Sequence, residues 1–146
     1  MATATSQALT RSSSALRMRK TVLYTNGAFL TLMGGPFAIF DLLSFWWGAG
    51  PLGEMYHNEL LTVGLFEAHG LALMMGLILL RAARFDPRPA WHLLGAGIHL
   101  LLGSSNLIFW ALFSVWDVVT AEIVVTCIHW LFMAAHLICL WKARAD

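Results

Sequence analysis

Four apolar stretches, roughly residues 22–47, 60–80, 91–116 and 118–141, constrain this chain more than any other feature. Each is close to or beyond the ~20 residues that cross a ~30 Å hydrocarbon layer at about 1.5 Å per residue. A soluble all-α bundle would need a polar outward face on each helix, and none of the four offers one. Only 12% of the residues are charged, against about 25% in ordinary soluble domains. Trp46 and Trp47 close the first stretch, Trp91 and Trp116 bound the third, and Trp141 ends the fourth. Indole rings gather in this way at membrane–water interfaces. The expected fold is therefore all-α: an integral membrane four-helix bundle, up-down-up-down, formed by residues 21–146 as a single domain. Residues 1–20 read as a basic disordered tail.

The nine Lys and Arg set the orientation. Arg11, Arg17, Arg19 and Lys20 precede the first stretch, Arg81, Arg84 and Arg88 lie between the second and third, and Lys142 and Arg144 follow the fourth. The other two connections hold Glu54, Glu59 and Asp117 and no base. Basic loops stay on the cytoplasmic side. Four crossings with both termini inside satisfy that rule, whereas three or five break it. The first run is too long for a secretory signal. An Ala/Ser/Thr-rich basic tail fits either a bacterial inner-membrane protein, our reading, or an organelle transit segment. Cys127 and Cys139 stand about 18 Å apart along one helix and cannot bond each other.

Loop signals agree with these boundaries. Gly48-Ala49-Gly50-Pro51-Leu52-Gly53 ends the first stretch, and Asp86-Pro87-Arg88-Pro89 separates the second from the third. The first spells G-x-G-x-x-G, but without a strand and a βαβ unit it carries no dinucleotide-binding meaning. Gly34-Gly35-Pro36 predicts a kink. Small residues at every fourth position (Gly27, Thr31, Gly35; Gly64, Ala68, Ala72, Gly76) predict close helix packing. A weak tandem repeat relates 32–47 to 101–116.

Polar residues inside the spans carry the chemistry, because an ionised side chain at a helix centre costs roughly 2.5–3.5 kcal/mol on insertion scales. Asp41, Glu67 and Glu122 lie within the stretches, with His69, His99, His129, His136 and Asn106. Seven-residue spacing groups them into faces: Gly27, Gly34, Asp41; His92, His99, Asn106; Glu122, His129, His136. Turned inward, these faces make a polar axis. Counting rise from the outer ends puts Glu122, Asp41 and Glu67 about 6, 9 and 12 Å deep, with His69, Asn106 and His129 at about 15–17 Å and His99 and His136 at about 26 Å. Glu67 and His69 are about 200° apart, so only one can face the axis. His57 and His92 read as interfacial and solvated. No Lys or Arg accompanies the three acids. They must be protonated, hydrogen-bonded, or balanced by a proton, a metal or a cationic ligand.

Three functions compete. Histidines at equal depth on facing helices suit bis-imidazole ligation. That makes a b-type haem or transition-metal redox subunit the leading reading, with His69/His129 and His99/His136 as candidate pairs and Asn106 beside them. His69 and His129 are also the candidate ligands of a smaller metal site. Alternatively, Asp41, Glu67 and Glu122 with the histidines form a proton relay. The chain would then be a proton-coupled or cation/amphiphile transporter acting as a homodimer. The third reading is an assembly subunit in a larger membrane complex, its polar residues serving helix pairing alone; a lone buried His is ordinarily such a packing residue. The lipid bilayer is the expected partner and nucleic acid is not. Covalent c-type haem, P-loop, zinc-protease and G-x-S-x-G chemistry lack their motifs.

Overall fold

The computed structural model describes residues 2–50 and 53–143, with side-chain environments from Ser14 onward. Pro51, Leu52 and Arg144 lie outside the described residues. Among the described residues the protein is all-helical: α1 Ala2–Trp47, α2 Gly53–Tyr56, α3 Leu60–Phe85, α4 Pro89–Ile108, α5 Trp110–Val115 and α6 Val119–Ala143. Three helical segments are long and apolar enough to cross a membrane: Ser14–Trp47 within α1, α3, and α6. The chain forms two compact units, one of residues 24–82 and one of the residues up to Leu23 together with those from Ala83 onward.

The first helix begins earlier than the sequence pattern suggests. Residues 2–20, read above as a disordered tail, are helical and continuous with the rest of α1. Good helix formers (Gln7, Ala8, Leu9, Ala15, Leu16, Arg17, Met18, Arg19, Lys20) dominate that segment. The helix also runs without interruption through Pro36. It ends where Gly48 and Gly50 take φ of 59° and 110°, a region open to glycine at little cost. Ser44 Oγ donates to the Ala49 carbonyl at 3.0 Å and the Asn58 amide to the Phe45 carbonyl at 3.1 Å, satisfying groups left over at the turn.

In the unit of residues 24–82, α1 and α3 approach closely. A Cβ on Gly27 would lie 2.9 Å from the Gly76 carbonyl oxygen, and one on Gly34 would lie 2.6 Å from the His69 carbonyl oxygen and also meet the Leu73 amide. The glycine steps of the Gly27–Gly34–Asp41 face are thus the places where the two backbones touch.

In the second unit α4 runs antiparallel to α6. Pro89 opens α4, with Arg88 extended before it (φ −76°, ψ 154°). In the preceding turn Arg88 Nε donates to both Asp86 carboxylate oxygens at 2.6 Å. These exposed bonds, and then the charge of Arg88, hold the Asp86 carboxyl below its usual range and raise the guanidinium.

The third apolar stretch departs from the expected single helix over 91–116. It breaks at Phe109 (φ −99°, ψ 20°) and resumes as the six-residue α5. No proline or glycine sits at the break; Ser104, Ser105 and Asn106 just before it have side chains that compete for backbone hydrogen bonds. Those residues, with His92 and His99, also make α4 more polar than the three spanning segments.

Candidate functional site: a polar ladder and a carboxylate–imidazole pair

The seven-residue faces of α4 and α6 meet in register. His92 Nδ1 lies 2.9 Å from His136 Nδ1, and His99 Nδ1 lies 2.9 Å from His129 Nδ1. The Asn106 amide donates to Glu122 Oε2 at 3.3 Å and to Thr126 Oγ1 at 3.0 Å. Each step of seven along α4 matches a step of seven back along α6, so three rungs extend over about 21 Å of helix axis. His92, His99 and His136 are fully buried and His129 almost so.

Small residues make this approach possible. A Cβ on Gly95 would fall on the His136 ring, 2.6 Å from Cε1, and one on Gly103 would lie 3.2 Å from the Trp130 ring. The His99 ring lies nearly parallel to those of Phe132 and His136, with centroids 5.1 and 6.2 Å away.

A hydrogen bond between two Nδ1 atoms dictates the tautomers. One ring must carry its proton on Nδ1 and donate it, while the other must accept there and carry its own proton on Nε2. Each neutral histidine rung therefore has an Nε2 acceptor at one end and an Nε2–H donor at the other. The His92 Nε2 atom is buried with no hydrogen-bond partner.

The other unit holds a smaller arrangement. Asp41, buried on α1, meets His69 of α3 with 2.6 Å between Oδ2 and Nδ1. The Phe37 ring covers the imidazole at 5.3 Å. Glu67, two residues before His69, is exposed. Of the two residues that could not share a face, His69 takes the inward direction.

The structure pairs the sequence candidates differently from the depth estimate. His69 bonds Asp41, His129 bonds His99, and His136 bonds His92. His99 and His136 are stacked neighbours. Asn106 serves Glu122 and Thr126. The reading of His92 as solvated is corrected, since it is fully buried; its place in the His92–His99–Asn106 spacing was the signal for it. His57 is exposed, as expected.

The error in depth has one cause. Counting rise from residue 116 places the α4 positions about 9 Å too deep, which is the length of the six residues of α5. Among the described residues no group of three or more His, Cys, Asp or Glu side chains is arranged to hold a metal ion. Comparisons with protein-family models, with curated proteins and with solved structures find no match.

Proposed function

We propose that this is a four-span membrane protein that moves protons along the α4–α6 ladder as part of proton-coupled transport of a cation or amphiphile. The observation that carries the reading is the pair of buried Nδ1···Nδ1 contacts at 2.9 Å, in register with an Asn106–Glu122 rung. The fourth crossing is α4: its 20 residues span about 30 Å, and its rungs follow α6, itself apolar enough to cross. The basic residues then put both ends and the α3–α4 turn on the cytoplasmic side. A bacterial inner membrane is the setting this distribution suits.

The transfer step is a relay. A proton arriving on the Nε2 acceptor of a rung makes that ring an imidazolium. Its Nδ1 proton passes to the partner Nδ1, and the partner releases its Nε2 proton, so one proton enters as one leaves. Passage between the rungs crosses the His99–His136 stack and needs a ring rotation or a bridging water. Glu122 and Asn106 occupy the far end, and Asp41–His69 is a separate protonatable pair. Four helices are few for a carrier, so the reading uses a homodimer. The exposed Glu67, in mid-span, is a carboxylate that lipid does not accommodate.

Proteoliposomes enclosing a pH dye test this reading. Under an imposed potassium diffusion potential, His99→Phe is expected to cut proton flux by about 10²-fold, the scale of losing a positioned proton-transfer group. Undiminished flux in that variant overturns the relay.

A second reading keeps the haem b or transition-metal site, favoured by four buried histidines on one helix pair. Two imidazole nitrogens on opposite sides of a metal stand about 4 Å apart, so a rung at 2.9 Å must open to admit one. This reading predicts a Soret band or bound metal in the purified protein, lost in His129→Ala. An assembly subunit predicts neither chromophore nor flux.

A further inference from the structure

Beside the His92 rung the protein leaves a second nitrogen without a partner. Arg19 Nε is buried and makes no hydrogen bond, as is true of His92 Nε2. Both residues belong to the same compact unit. The Arg19 charge acts on His92 at the start of α4 and on the buried Cys139 near the end of α6. Arg19 forms no ion pair among the described residues, and the carboxylate of the adjoining turn, Asp86, is held by Arg88. Lys142 adds further positive charge at this end of α6. A buried cation without a counter-charge is expensive. A buried imidazole nitrogen without a partner costs less, but still costs.

An oxyanion answers both needs at once. When His136 donates within the rung, His92 accepts on Nδ1 and carries its proton on Nε2. Arg19 Nε–H and His92 Nε2–H then present two donors and one positive charge to the same small region, next to the amino-terminal turn of α4, whose dipole also favours negative charge. We propose that Arg19 and His92 together bind a phosphate group at this end of the ladder, either a lipid headgroup phosphate or free phosphate. A phosphate oxygen is the natural acceptor for an arginine N–H, and basic pockets between spanning helices bind anionic headgroups. The site is independent of the transport reading, since it needs only the Arg19–His92 arrangement.

Native mass spectrometry of the full chain, released from dodecyl maltoside, tests it with three additions: phosphatidylglycerol, phosphatidylcholine and inorganic phosphate. The parent is expected to retain one phosphatidylglycerol in preference to phosphatidylcholine if the source is lipid, or one inorganic phosphate if the source is free anion. Arg19→Gln should weaken that binding about tenfold, the scale of one charge-assisted hydrogen bond. Lys142→Gln should leave it within about twofold, as expected of an exposed charge. His92→Phe should weaken it as Arg19→Gln does, with circular dichroism checking that the helices persist; if they do not, Arg19→Gln decides. The proposal fails if neither phosphatidylglycerol nor phosphate is retained, or if Arg19→Gln binds as the parent does. It also fails if Lys142→Gln loses as much as Arg19→Gln, since the attraction would then be diffuse surface charge.

Discussion

Within each histidine rung a single proton is shared between two buried Nδ1 atoms, so the two rings are energetically one unit. Replacing one of them strands a polar nitrogen, at about 1–3 kcal/mol; replacing both removes the need. His99→Leu is therefore expected to destabilise the protein by that amount, and His99→Leu with His129→Leu by clearly less than the sum of the singles. Unfolding by steric trapping in bicelles measures the cycle, and additive effects would show that the rung is not a bond. Asp41 and Glu67 show what was legible at this scale. Spacing established that Glu67 and His69 face opposite ways. Which of them turns inward depended on Asp41 and Phe37 across the helix pair, information that one helix does not hold.

Helix contacts were legible wherever a glycine had a reason to be there. Gly34 lies against the α3 backbone, with the His69 carbonyl oxygen 2.6 Å from where its Cβ would sit, whereas a Cβ on Gly35 would lie 3.6 Å from the flexible end of Leu73. Gly34→Ala must push α1 from α3 and is expected to cost about 1–3 kcal/mol. Gly35→Ala should be neutral or stabilise by up to about 1 kcal/mol through helix propensity. Equal effects in a thermal melt would contradict the close approach. The same reasoning failed at Phe109, where no residue type announced a break. The α4 and α6 faces were read correctly, but their relative heights were shifted by the length of α5.

For the molecule as a whole, the distribution of basic residues and the register of α4 against α6 lead to the same topology. Maleimide added from outside should label cysteines placed at Gly50 or Glu54 and not at Arg84 or Lys142. Outside labelling at Arg84 would end the four-span reading. A homodimer through the exposed Glu67 side of α3 predicts disulfide cross-linking of Gly64→Cys, where nothing lies within 4 Å of the added Cβ; a strictly monomeric protein would remove that expectation. The three rungs also limit where the chain can change length. One residue inserted between His92 and Asn106 turns the rest of α4 by about 100° and lifts it about 1.5 Å, so rungs beyond the insertion lose their partners together. An alanine inserted after Leu101 is thus expected to undo the ladder, while one inserted after Leu112, past the break at Phe109, should leave it paired. The short α5 acts as an expansion joint, letting the α4–α6 hairpin take up insertions and deletions without disturbing the spacing that its chemistry needs.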